Sequence, residues 1–119
     1  MRIVPDPSSS ETSASLTYVP AEVLLEFVAT VLVAAGAREA DASAVAQHLV
    51  EANLQGHDSH GVGMLPAYVR HVRAGLVNLA SNPRLIQESG VVIKVDADSG
   101  WGALAGRFAI ESGIPVARA

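Results

Sequence analysis

Cysteine is absent from the 119 residues. Disulfide frameworks, thiolate metal sites and cysteine nucleophiles are thereby excluded. Aromatic residues make up only 4% of the chain, and 8 lysines and arginines stand against 12 acidic side chains. The resulting formal charge of -4 argues against a nucleic-acid groove and against an anionic membrane surface as partner. A membrane-spanning run is also lacking: the most apolar window, Val19 to Ala37, carries Glu22 and Glu26. Each carboxylate at bilayer depth would cost about 2.5–3.5 kcal/mol. Ala35-Gly36-Ala37 imitates a signal-peptide cleavage site, yet the preceding segment holds Asp6 and Glu11 beside Arg2, and the two glutamates interrupt the apolar core such a peptide needs. A cytoplasmic protein is expected.

What is present is aliphatic. Half the residues are hydrophobic, 20 of them alanine, with 10 glycines besides. This composition favours closely packed helices over an aromatic core. A single domain of this size buries only about two-thirds of its extended surface, so some apolar surface is expected to meet something outside the chain. Residues 1–17, with Pro, Ser and Thr concentrated from Pro5 to Ser15, read as a disordered leader.

From Pro20 onward, Val23, Leu24, Phe27, Val28, Val31, Leu32 and Ala35 recur at helical spacing, with Gly36 as a left-handed stop. A second helix is predicted from Asp41 as N-cap, with Ala42, Val45, Ala46, Leu49, Val50 and Asn53 along one stripe, until Gly56 ends it. The two predict a helical hairpin. Next comes Gly56-His57-Asp58-Ser59-His60-Gly61-Val62-Gly63, which has neither a helical nor a strand period. A third helix follows from about Leu65 to Ala74, closed by Gly75. After Asn82-Pro83 the period changes: Arg84 to Glu88 and Val91 to Asp96 read as strands around Gly90, the second with a Val-Val-Ile run suited to burial. A last helix begins near Trp101 or Gly102 and is still running at Ala119, and Pro115 should kink or break it.

The glycine-bracketed loop is the best candidate for chemistry. A histidine exchanges protons near neutral pH, and glycines let a ligand approach the backbone closely. The competing view is that Ser59 caps a turn, Asp58 makes a local turn hydrogen bond and His60 is a plain surface residue. Ser59 does not fit a hydrolase, because the nucleophile elbow needs Gly-x-Ser-x-Gly between strand and helix and adjacent residues seldom point at one another well enough for nucleophile and base. His57 and His60, with His48 and His71 along the chain, lack a third ligand at a familiar metal spacing, so no metal is expected. Gly100-Trp101-Gly102-Ala103-Leu104-Ala105 matches a dinucleotide fingerprint, but Asp96 and Asp98 would repel a pyrophosphate and the confirming acid about 20 residues on would fall past Ala119.

The run from Glu51 to Arg70, EANLQGHDSHGVGMLPAYVR, together with Gly75, the Val91 to Asp96 strand and Gly100 and Gly102 before a helix, resembles the N-terminal part of the malate/L-lactate dehydrogenase family of NAD(P)-dependent 2-hydroxyacid oxidoreductases. The resemblance runs from Tyr18 to about Ala119 and is nearest to the hydroxycarboxylate dehydrogenase branch. It implies an α+β, mixed architecture: an N-terminal helical region, residues 18–80, leading into the first strands and helix of a mixed-sheet, non-Rossmann nicotinamide-binding domain, residues 81–119. It also implies a homodimer, NAD or NADP as cofactor, and a small 2-hydroxy or 2-oxo acid as substrate. His60 becomes the acid/base residue, Ser59 its neighbour at the substrate and nicotinamide end of the cleft, and Asp58 a local orienter; Gly100 and Gly102 become look-alikes of the dinucleotide motif. Two positions depart from the pattern. Met64 stands where many members carry a carboxylate-gripping arginine, which passes that task to another residue, and Pro115 interrupts a helix. Because family members continue for more than this length again, the resemblance implies an N-terminal fragment that is inactive alone. The alternative is a stand-alone helical interaction module or an inactive gene fragment.

Overall fold

The computed structural model of the chain describes residues 17–119, so the leader expected over residues 1–17 lies, except for Thr17, outside the described residues. Four helices and one hairpin follow: α1 (Ala21–Ala34), α2 (Glu39–Leu54), α3 (Leu65–Arg73), β1 (Arg84–Ser89), β2 (Val92–Asp96) and α4 (Gly102–Arg118). Among these residues no helix is long and apolar enough to cross a membrane.

α1 and α2 form the predicted hairpin. Pro20 precedes the first turn of α1, and Gly36, at φ +109°, reverses the chain after it. The amides of Gly36 and Ala37 donate to the carbonyls of Val33 and Leu32, satisfying two of the acceptors that a helix end leaves free. Val28 and Leu32 of α1 pack on Ala42, Val45, Ala46 and Leu49 of α2, and Leu65 of α3 and Trp101 join the same cluster. Each fully buried Val or Leu side chain contributes about 1.5–3 kcal/mol by leaving water. The apolar stripe of α1 is wider than the core it serves. Val23 and Phe27 remain 54% and 56% exposed, because α2 covers only the Val28–Leu32 side.

Three local expectations change. α2 begins at Glu39 rather than Asp41, and the buried Asp41 carboxylate, in the first turn, accepts from Arg38 Nε at 2.7 Å. Arg38 also donates through Nη2 to the Ser81 carbonyl at 2.8 Å, so one guanidinium ties the helical hairpin to the segment entering β1. The second change is in the sheet, which here is only β1 and β2, antiparallel, with Arg84 opposite Asp96, Ser89 opposite Val92, and a bulge between Leu85 and Gln87. Val91 and Val92 are 87% and 64% exposed, so among the described residues nothing covers one face of the strand expected to be buried. Last, α4 runs through Pro115 to Arg118 without breaking there. It packs on β2, where a Cβ at Gly113 would come within 3.3 Å of Ile93 Cδ1.

The turn from β2 to α4 places Asp98 and Ser99 at positive φ, 50° and 54°. Asp96 Oδ1 accepts the Asp98 amide at 2.8 Å and Asp98 Oδ2 accepts from Asn78 Nδ2 at 3.0 Å, which holds this strained pair. The Asp98 amide, and then the Arg84 guanidinium 2.7 Å away, hold the Asp96 carboxyl below its ordinary value. A depressed folded-state pKa stabilises the fold above the unfolded pKa, about 4, and that contribution is lost as pH falls through the folded value. The stability difference between the unaltered chain and Asp96→Asn is therefore expected at pH 7 and should shrink on acidification below about pH 4, measured by denaturant unfolding across pH. A difference that grows on acidification would contradict this account.

Candidate functional site

The site is built where α2 ends. Gly56, at φ +79°, lets the amides of Gly56 and His57 turn back to the carbonyls of Asn53 and Ala52, so the chain leaves α2 sharply toward α3. The glycine-bracketed segment expected to lack a helical period instead forms two single turns of 3₁₀ helix, Asp58–His60 and Val62–Met64, immediately before α3. Helical hydrogen bonding at three-residue spacing is invisible to a search for a 3.6-residue period.

Asp58, Ser59 and His60 share the first of these turns and are all exposed. Ser59 Oγ lies 2.9 Å from His60 Nδ1, a closer pairing than adjacency suggests. Ser59 does not cap a helix, and Asp58 does not bond within its own turn: its Oδ1 accepts from Asn53 Nδ2 at 2.6 Å. The exposure of His60 agrees with the plain-surface-loop reading, whereas the partners of Ser59 and Asp58 differ from those it assigns. His60 and His57 line a concavity of about 380 Å³ whose other wall is α2, through His48, Glu51, Ala52 and Gln55. A second depression of about 300 Å³ shares His48 and Glu51 and runs on to Leu104 and Arg107 of α4. On sequence grounds His48 enters only as a candidate metal ligand, and Glu51, Gln55 and Arg107 are not picked out as site residues. His48, Glu51 and Gln55 at spacings of three and four do mark one face of α2, opposite its apolar stripe, and that was the available signal.

Other candidates are not assembled. Among the described residues no three histidine, aspartate or glutamate side chains come together as a metal site. The dinucleotide look-alike follows an antiparallel strand rather than opening a parallel crossover unit, and Gly100 has a packing reason, since a Cβ there would overlap the Ser81 side chain. Met64 is 36% exposed at the end of the second 3₁₀ turn and offers no charge.

Residues 19–119 match the family model described as malate/L-lactate dehydrogenase. The chain belongs to this family. Hydroxycarboxylate dehydrogenase B of Escherichia coli (strain K12) is 38% identical over 97 residues, which cover 82% of this chain and 27% of that relative. The (2R)-3-sulfolactate dehydrogenase (NADP(+)) of Chromohalobacter salexigens is 36% identical over 87 residues, covering 73% of this chain and 26% of the relative. The structure of malate dehydrogenase from Pyrococcus horikoshii OT3 superposes with a TM-score of 0.79 at 37% identity, over 86% of this chain and 29% of that one. The chain thus spans between a quarter and a third of the length of these dehydrogenases. The helical region leading into a sheet is the fold that the resemblance implies, and these three relatives are named as dehydrogenases of hydroxyacids.

Proposed function

We propose that this chain is the N-terminal part of an oxidoreductase that interconverts 2-hydroxy and 2-oxo carboxylic acids using NAD(H) or NADP(H), with His60 as the proton donor and acceptor. The observation that carries the proposal is His60, paired with Ser59 and lining the concavity beside α2, in a chain of a dehydrogenase family. The residues present suit the nicotinamide end of the cofactor. The imidazoles of His48, His57 and His60 and the carboxamide of Gln55 line the concavity and can hydrogen-bond a carboxylate, and the Gln55 and Glu51 side chains can accept from a carboxamide.

When bound, the nicotinamide supplies or accepts the hydride. His60 handles the proton. With Nδ1 paired to Ser59, Nε2 is the nitrogen left to serve the substrate: protonated His60 donates from Nε2 to the oxygen of a 2-oxo acid as it becomes a hydroxyl, and neutral His60 takes that proton back in the reverse direction. Nδ1–H donates a hydrogen bond to Ser59 Oγ in both states, so the ring keeps one orientation and one neutral tautomer. Asp58 helps orient the turn.

Residues 18–80 serve as the helical region and residues 81–119 as the start of the cofactor-binding domain. The latter part leaves an apolar face open, with Ile93 of β2 and Ile110 and Ile114 of α4 around a shallow depression. Further strands of the same domain would cover such a face, in keeping with the longer relatives. Nicotinamide fluorescence titration tests this division: a chain extended to family length is expected to bind reduced cofactor, and residues 1–119 alone are not. Tight binding by the 119 residues alone would contradict it. An extended chain without cofactor binding would favour a helical interaction module, for which the exposed Ile110 and Ile114 would be the contact surface.

A further inference from the structure

We infer that Asn53 is the positioning residue of the site: its side-chain amide clamps the turn that carries His60 from both ends. Asn53 is in the last turn of α2, next to the buried stripe that anchors that helix. Its Nδ2 donates to Asp58 Oδ1 at 2.6 Å, just before Ser59 and His60, and its Oδ1 accepts the Val62 amide at 2.7 Å, just after them. One rigid planar group therefore fixes the two ends of the five-residue span from Asp58 to Val62. The pairing with Val62 reaches nine residues along the chain and is part-buried, so water replaces it poorly.

Gly61 completes the clamp. It is buried, and a Cβ there would overlap Oδ1, Cγ and Nδ2 of Asn53. Because the carboxamide is held by two hydrogen bonds, it cannot swing aside without giving up both. The glycine after His60 is thus explained by the close approach of Asn53 rather than by backbone conformation, since its φ is negative. The loop has no hydrophobic anchor of its own between Gly56 and Gly61, and Asp58, Ser59 and His60 are exposed. Asn53 links them to the packed helix.

This inference rests on His60 being the acid/base group, and the test separates the two claims. In the 119-residue chain, a scalar coupling across the hydrogen bond between Val62 ¹⁵N and Asn53 ¹³Cγ, with slowed exchange of the Val62 amide, is expected by NMR; absence of both overturns the clamp whatever the enzyme does. In the full-length enzyme, Asn53→Leu, which keeps the volume but removes both polar atoms, is expected to lower kcat about 10²-fold with KM for the cofactor little changed, as misplacement of a catalytic group does. Asn53→Asp keeps an oxygen for the Val62 amide and is expected to recover at least about tenfold of that loss, the exposed Asp58 carboxylate turning away to solvent. Equal loss in the two variants, or wild-type kcat in Asn53→Leu while His60→Asn is inactive, overturns the positioning role. Wild-type kcat in His60→Asn overturns the acid/base reading instead and leaves the NMR result standing on its own.

Discussion

Replacing His60 with asparagine in the full-length enzyme is expected to lower turnover by about 10²–10⁴-fold, the contribution of a positioned general acid/base. Asparagine keeps a polar, hydrogen-bonding side chain of smaller size but cannot give up or take a proton near neutral pH. His60 is exposed and its side chain pairs with Ser59, so the substitution removes no core contact among the described residues and stability should change by less than about 0.5 kcal/mol. Turnover and unfolding should therefore separate. Stopped-flow measurement of reduced-cofactor consumption with a panel of 2-oxo acids, beside denaturant unfolding of the same variant, checks both parts. Turnover near that of the unaltered enzyme would rule out His60 as the proton donor.

Leu49→Ala is expected to have the opposite signature, a loss of about 2–5 kcal/mol in unfolding free energy in the 119-residue chain. Leu49 is fully buried and belongs to the cluster that includes Val28 and Leu32 of α1, Leu65 of α3 and Trp101 before α4. Truncation removes the transfer energy of the lost carbons and leaves a cavity that helices fixed by a short connection fill only in part. Urea unfolding followed by helical circular dichroism is the measurement, and a change below about 1 kcal/mol would show that the cluster is not the stabilising core. The site should feel this change as well. His48, Glu51 and Asn53 ride on the same helix, so its fraying would loosen one wall of the concavity and the clamp on the loop together.

Much of the helical region was legible in the residues. Buried Ala42, Val45, Ala46, Leu49 and Val50 are the stripe that the spacing along α2 marks, and Gly36, Gly56 and Gly75 stand at positive φ at the ends of α1, α2 and α3. Legibility stopped where a stripe needed a partner. Val28 and Phe27 are adjacent on α1 with similar apolar character, yet one is fully buried and the other 56% exposed, because burial depends on which side α2 approaches. The Val91–Val92 run has strand composition, but what covers a strand is decided by the rest of its sheet, and here that sheet has two strands.

By itself the sequence determined the order of the α-helices and strands, the glycine stops of α1, α2 and α3 and the loop in which Asp58, Ser59 and His60 are gathered, because backbone propensity, side-chain period and glycine's access to positive φ are local properties of the chain. Only the tertiary structure decided what surrounds His60. The Asn53–Val62 bond spans nine residues, and the depression next to that of His60, which shares His48 and Glu51 with it, joins α2 to Leu104 and Arg107, more than fifty positions further on. Arg38 likewise reaches Ser81. Such contacts depend on directions in which loops leave helices and on hydrogen-bond geometry accurate to a few tenths of an ångström, and no periodicity along the chain carries that information.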